Sequence, residues 1–391
     1  MPHREAMPLF GIEFEYLLVD IDGPQAGRIR DFTNLDFLEL SALLADKPGL
    51  GDPELAAGDM GIRSGYWYLE GDERSHPDGS FSTLAVKGIE IRTPPRPSIE
   101  AALACLLDIE TQLAERLSAH GLGLAIAALN PLHKRYDFNP PLNAFERQLR
   151  AEDPEYDGSE IATLTFGPDI NLSMPGWDVA QSLEAARKLN YYAPFIVPFS
   201  FNSPWYAGAP WHGWSRRTWM RCAHRPAVKL FVDRVEFPAL ARESILVRPA
   251  RLPREIGRIE FKAFDAIPSL ALLSACCHLL TGLCLDETLP GRSEHADVDL
   301  YRIAAVQAFE DEEILHGASR VLHAAGDALD QAGDTTGVAA LAPLQELLAQ
   351  RTTPAHALRD SGQMHWPGGL SCGPDPTFAR AFANRIQPRT P

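Results

Sequence analysis

Between Phe10 and Asp20 the chain reads FGIEFEYLLVD, and apolar residues alternate with polar ones at the period of two that marks a half-buried strand. That period puts Glu13 and Glu15 on one face of the strand. Strands ordinarily disfavour glutamate, so two on one face call for a physical reason. Further strands are expected at Tyr66 to Leu69, which is strongly β-prone, and at Ile89 to Thr93, which alternates around Glu90 and stops at Pro94 and Pro95.

The pattern then changes to helical spacing. From Ser98 to about His120 apolar residues recur every three to four positions, with Ser98 placed to cap the start and Gly121 to end the run. GLGLAIAALNP reads as a buried strand, and IATLTFGPDINLSMPG as a pair of short β segments around Gly167. A long helix capped by Asp178 leads to Asn202, Ser203 and Pro204. GRIEFKAFDAIPS predicts a strand carrying Glu260 and Lys262, and a buried helix follows it. A short helix is expected after the opening strand. Alanine- and leucine-rich helices are expected from about Asp297 to Ala349, with a loop-rich stretch from Arg351.

Strands therefore come singly or in pairs between helices, without a regular βαβ cadence. There is no GxGxxG after a strand and no GxxxxGK[ST], so dinucleotide and P-loop sites have no support. The fold class that fits is α+β, with a mainly antiparallel sheet. The 391 residues, 45% hydrophobic and 23% charged, describe a globular chain without an apolar run long enough for a membrane helix. A net charge of −16 argues against nucleic acid or an anionic membrane as partner, while anionic small molecules remain compatible through a local cluster of cations or a metal. The N-terminus lacks the apolar core of a secretory signal, which gives a cytoplasmic expectation. The six cysteines show no CxxC pairing and read as reduced core thiols, with a zinc site as the lesser alternative.

Acids on separate strands, Glu13 with Glu15, Glu90, Asp169 and Glu260, are placed so that they could face one site. Converging carboxylates repel one another, and hard divalent cations such as Mg²⁺ or Mn²⁺ relieve that repulsion. Magnesium in turn suggests phosphate chemistry, for which Arg216, Arg217, Arg258 and Lys262 are candidate helpers. Each of these residues also has an ordinary reading. A strand glutamate commonly faces solvent, an arginine pair is commonly solvated, Asn202 before Ser-Pro is commonly a turn residue, and Cys276 with Cys277 is commonly core.

The order of these segments resembles the glutamate-cysteine ligase superfamily, in particular its bacterial carboxylate-amine ligase branch. GIEFEYLLVD is similar to the family's G-[VI]-E-x-E-[FY] strand, and GIEIRTPP to its E-[IL]-x-T-P strand. PDINLS and the following helix, FNSP and GWSRR resemble the stretch running from an H-V-H-V-G strand to A-N-S-P and G-x-x-S-x-R. GRIEFKAFD resembles the closing I-E-[VL]-R-x-x-D strand. The shared order extends from about Leu9 to Ser269.

The resemblance implies a glutamine synthetase/guanido kinase-like fold, a curved antiparallel sheet forming an active-site funnel flanked by helices. On that reading residues 1–391 form a single catalytic domain, with a core at 8–290, C-terminal helices at 295–350 and a loop-rich tail at 351–391. It also implies ATP and Mg²⁺ (or Mn²⁺) as cofactors, and amide formation of γ-glutamyl type through an acyl phosphate. The partners would be a small-molecule carboxylate, glutamate being the family example, and an amine, with no nucleic acid or membrane and with a homodimer as one admissible assembly. Glu13, Glu15, Glu90, Asp169 and Glu260 would ligate metal, Arg216 or Arg217 with Lys262 would act in catalysis, and Asn171, Asn202 and Arg258 would hold the nucleotide. This chain departs from the family where Asp169 and Asn171 replace two histidines, where Thr83 stands seven residues before Glu90 in place of an acid, and where Lys262 replaces an arginine. The change to lysine keeps the charge and loses the bidentate fork. Two other readings stay open: a catalytically impaired ligase-like binding or regulatory protein, and a related phosphotransferase that stops at a phosphorylated product.

Overall fold

The computed structural model describes residues 8–53, 55, 64–152 and 158–370. Twelve strands are assigned among them: β1 (Leu9–Asp20), β2 (Ile29–Arg30), β3 (Trp67–Ser75), β4 (Phe81–Arg92), β5 (Leu122–Ile126), β6 (Pro168–Ser173), β7 (Trp205–Tyr206), β8 (Ala209–Pro210), β9 (Val228–Val232), β10 (Val247–Pro249), β11 (Ile259–Phe261) and β12 (Trp366–Pro367). Ten of them join one curled sheet, whose main path runs β10-β9-β11-β6-β1-β4-β3. Its pairings are antiparallel except for β10 with β9.

β1 is the centre of the sheet because it changes partners along its length. From Leu9 to Tyr16 it is paired by β6 and β4, and from Leu17 to Asp20 by β5 and β2. In the first half Phe10, Ile12, Phe14 and Tyr16 point into the core, while Gly11, Glu13 and Glu15 lie on the other face. In the second half Leu17, Leu18 and Val19 are all buried. The core behind the sheet is closed by the helix Ile99–Ser118, which packs on β1 and β5. The helices Val179–Ile196, Leu270–Leu285 and Glu312–Gln331 pack on one another beside β9. No described helix is long and apolar enough to cross a membrane.

Several local signals act as the sequence suggests. The Ser98 side chain accepts the Ala101 N–H, and Asp178 forms a reciprocal cap with Gln181. Leu270–Leu285 is apolar on nearly every side because helices surround it. Cys222, Cys276, Cys277 and Cys284 are buried free thiols and Cys105 is half-buried and free, while Cys372 lies outside the described residues.

Three elements differ from expectation. β4 starts at Phe81, well before Ile89, because the turn at His76 to Ser80 closes a β3–β4 hairpin in which Gly79 adopts a φ of +84°. The pair of β segments expected around Gly167 is a single strand, β6. The preceding residues form the short helix Ser159–Ala162 and one isolated bridge from Thr165 to Leu129. The Lys87 ammonium donates to the carbonyls of Ala162 (3.0 Å) and Thr165 (2.8 Å), so these groups are satisfied without a ladder. After Arg351 the chain forms the helix Pro354–Ser361, held by Thr353 and His356 at its start and Gly362 at its end, and then β12 pairs with β5. Residues 351–370 thus carry a helix and a strand where a loop-rich tail is expected, and the rest of that tail, 371–391, lies outside the described residues.

The backbones of β1 and β4 approach closely at Gly88, where a Cβ would lie 2.1 Å from the carbonyl oxygen of Tyr16. Gly88→Ala is therefore expected to lower unfolding stability by roughly 2 kcal/mol, on the scale of overpacking a rigid interior. The urea midpoint measures this, and an unchanged midpoint would show that the two strands separate without cost.

Candidate active site

Register brings the polar residues of six strands onto one face. Glu13 pairs with Asp169 of β6 and with Arg92 of β4, and Glu15 pairs with Glu90. Tyr68 pairs with Glu90 and Glu70 with Gly88 across β3–β4. On the other side Glu260 pairs with Asn171 and with Lys229. These side chains line a cleft of about 1300 Å³.

One group of acids gathers where β3, β4 and β1 meet. Glu15, Glu70 and Glu90 each bring an oxygen within 4.8 Å of the others. Lys87 donates to Glu15 Oε1 at 2.6 Å, and the Gly167 N–H donates to Oε2 at 2.8 Å. Burial pushes the Glu15 carboxyl up; Lys87 pulls it down, and nearby Glu70 and Asp169 push it up further, with a net rise. Oxygen donors at this spacing suit a hard divalent cation, which would also stabilise the ionised form of Glu15.

A second group lies across β1, β6 and β11, and there the protein supplies its own cations. The Lys262 ammonium donates to Asp169 Oδ2 at 2.7 Å and to Glu260 Oε1 at 2.8 Å. Arg258 donates to Asn171 Oδ1 at 2.7 Å and to Glu260 Oε2 at 3.3 Å, and it lies 3.8 Å from Glu13 Oε1. Asn171 donates in turn to Glu13 Oε1 at 3.2 Å. Burial would raise the Glu260 carboxyl, but Lys262, Arg258 and Lys229 outweigh it and hold it down to about 2. Burial would likewise lower Lys262, but Asp169 and Glu260 hold its ammonium well above the ordinary lysine value.

The arginine pair divides. Arg217 is buried at the cleft, donating to the carbonyls of Ala263 (2.8 Å) and Lys262 (3.3 Å). Arg216 turns toward aromatic rings, its guanidinium 4.5 Å from the Tyr206 ring centre and 5.6 Å from that of Trp211, outside the residues that line the cleft. Beneath Arg217 the fully buried Asp265 accepts from Ser203 Oγ and Ser215 Oγ, both at 2.9 Å, and from Asn202 N at 2.8 Å. Ser215 also caps the helix Arg216–Arg221. Asn202 is spent on this framework: its Nδ2 donates to Ala266 O at 2.8 Å, and its Oδ1 accepts from Trp366 Nε1 at 2.5 Å. It does not line the cleft, whereas Asn171, Arg258 and Lys262 do.

Glu70, Lys87, Arg92 and Lys229 also line the cleft and were not anticipated from the sequence. Glu70 shares the alternation phase of Tyr68, and Lys87 is a charge within the apolar run from Leu84 to Ile89, so both carried a signal. Thr83 is exposed and pairs with Arg74. On the β9–β10 side Arg225, Arg248, Arg251 and Arg254 add positive charge to the cleft. The cleft therefore offers acids for a cation and cations for an anion, an arrangement suited to a metal-bound polyphosphate.

A profile of glutamate-cysteine ligase family 2 (GCS2) matches residues 10–371. A glutamate–cysteine ligase of Natronomonas pharaonis is 28% identical over 120 residues, 31% of this chain and 32% of that protein. The glutamate–cysteine ligase EgtA of Mycobacterium tuberculosis is 26% identical over 151 residues, 37% of this chain and 34% of that protein. The matched segments thus span about a third of these relatives' length. Among solved structures, a bifunctional glutathione synthetase from Pasteurella multocida gives a TM-score of 0.55 at 14% identity, covering 97% of this chain and 53% of that one. A glutamate–cysteine ligase from Francisella tularensis, in complex with AMP, gives 0.50 at 11% identity, covering 98% of this chain and 90% of that one. At these identities the likeness establishes a shared fold alone, a curled, largely antiparallel half-barrel flanked by helices.

The ion pairs set an acid dependence. Glu260 sits below its ordinary value of 4.5, so it contributes stability above pH 4.5 that is lost as pH falls toward 2. Glu15, shifted upward, acts in the opposite sense. Lys262→Met is expected to cost on the order of 2 kcal/mol at neutral pH, because it strands part-buried carboxylates, and to flatten the stability loss across that acid window. Urea midpoints measured as a function of pH would show both effects, and a variant with the wild-type profile would contradict the ion-pair assignment.

Proposed function

The chain belongs to glutamate-cysteine ligase family 2, and from that premise we propose that it is an ATP- and Mg²⁺-dependent carboxylate-amine ligase forming an amide through an acyl phosphate. The observation that carries this reading is the single cleft in which the acids of β1, β3 and β4 stand beside Lys262, Arg217 and Arg258. The oxygens of Glu15, Glu70 and Glu90 fit Mg²⁺ or Mn²⁺ by number and chemistry. When bound, such an ion neutralises phosphate oxygens during transfer.

The remaining work falls to the chain's own groups. Transfer of the γ-phosphoryl group to a substrate carboxylate breaks the bond to the β-phosphate, releases ADP and gives an acyl phosphate. Attack by an amine on the acyl carbon then expels phosphate, forms the amide and releases a proton. Arg217, fixed by two backbone carbonyls, and Arg258, stacked 3.9 Å over the Phe231 ring centre, present rigid guanidinium groups to phosphate or to the substrate carboxylate. Asn171 offers an amide within the same cleft for the nucleotide or substrate. An α-amino acid such as glutamate is the favoured carboxylate, and cysteine is the amine the family name suggests.

A second reading, a ligase-like binding protein, draws on the engagement of Asp169 by Lys262. The assay separates the two. Incubation of the chain with ATP, Mg²⁺, an amino-acid carboxylate and an amine is expected to release ADP and yield an amide, with both organic substrates required. Glu90→Gln is expected to lower kcat/KM by at least ~10²-fold, the scale of losing one preorganised electrostatic contact. ATP binding without ADP release over a panel of amino acids and amines would favour the binding protein. A phosphorylated small molecule in place of an amide would indicate a phosphotransferase.

A further inference from the structure

Two arginines one turn apart on the helix Arg216–Arg221, Arg217 and Arg221, are buried and both line the cleft. Their surroundings differ. Arg217 donates to the carbonyls of Ala263 and Lys262 and lies 3.9 Å from Asp265. Arg221 is 9% exposed, and among the described residues its one hydrogen bond is a long one, 3.4 Å to Pro226 O, with no carboxylate in an ion pair. A guanidinium carries five N–H donors, so most of its capacity is unspent.

A buried cation without a counterion is unfavourable, yet this one keeps its charge. Burial pulls the Arg221 guanidinium down, and Arg217 and Arg225 add to the fall, but it stops at about 9, above neutral pH. Asp169 acts on it from farther away and is itself engaged by Lys262 at 2.7 Å. The open side of Arg221 is the cleft, so the anion that completes it comes from a ligand. A polyphosphate calls for several cations, which the arginines of the β9–β10 side supply, whereas one buried fork matches one planar carboxylate. Amide formation converts one carboxylate of the acid substrate to an acyl phosphate. A carboxylate held at Arg221 stays ionised, so it is a second one.

We infer that Arg221 selects the acid substrate, its guanidinium receiving a carboxylate that does not react, so that the amino-acid substrate carries two carboxylates. The inference rests on the reading of this cleft as that of a carboxylate-amine ligase. Arg217 stands beside this position with a buried Nε that has no hydrogen-bond partner among the described residues, a further donor on the same helix. Lysine at position 221 would keep the charge and lose the fork.

The test is calorimetric titration of the full chain, without nucleotide, with glutamate, aspartate and 4-aminobutyrate, the last being glutamate without its α-carboxylate. The wild type is expected to bind at least one of the two dicarboxylic acids at least ~10-fold more tightly than 4-aminobutyrate, the scale of one charged hydrogen bond. Arg221→Met is expected to abolish that preference, Arg221→Lys to retain part of it, and both to change ATP affinity by less than ~2-fold. Because Arg221→Met removes a buried cation that lacks a counterion, its urea midpoint is expected to equal or exceed that of the wild type, which an arginine with a structural role would not allow. An unchanged preference in Arg221→Met would overturn the inference, as would a loss of ATP affinity in its place or a wild type that binds neither dicarboxylic acid. Should Arg221→Met fail to fold, Arg221→Lys decides, and a full wild-type preference in it would count as refutation. Neither ADP nor amide is measured, so a chain without ligase activity can still pass and an active ligase can still fail.

Discussion

Carboxylates crowded onto one face of a sheet repel one another unless cations are brought to them, and this constraint shapes the whole cleft. Glu13, Glu15, Glu90, Asp169 and Glu260 share that face because β1 is paired on both sides by strands carrying acids in register. Lys87 answers Glu15 from within β4, while Lys262 and Arg258 answer Asp169, Glu260 and Glu13 from either end of β11. The same constraint reaches into the fold itself. Lys87 spends its other hydrogen bonds on carbonyls of the segment before β6, so one ammonium both steadies an acid and sets the local backbone.

Behind the sheet, a second buried charge positions the first. Asp265 gathers Ser203, Ser215 and the Asn202 N–H, and the helix that begins at Arg216 starts from this cluster. Arg217 leaves that helix toward the cleft and holds the carbonyls of Lys262 and Ala263. Asp265, Arg217 and Lys262 thus form one mechanical chain from the core to the acids. Side chains prearranged this way lose little freedom when an anion arrives.

Much of this was legible in the sequence, and the rest was not for identifiable reasons. The alternation in FGIEFEYLLVD places Glu13 and Glu15 correctly on one face, and Ser98 and Asp178 cap the helices they precede. Local chemistry decides those features. Glu70 was missed because its association with Glu15 and Glu90 arises from hairpin register, and an offset counted along β4 leads to the exposed Thr83 instead. The role of Lys262 was hidden because its partner Asp169 lies on another strand, 93 positions away. Asn202 and Arg216 looked like site residues by motif, but tertiary contacts draw one into the Asp265 framework and the other onto the rings of Tyr206 and Trp211.

On the proposed reading, the acids where β1, β3 and β4 meet hold a divalent cation. Anomalous diffraction from crystals soaked in Mn²⁺ without nucleotide observes it directly. The expected map has a peak among Glu15, Glu70 and Glu90. A map without a peak among these three acids would contradict it.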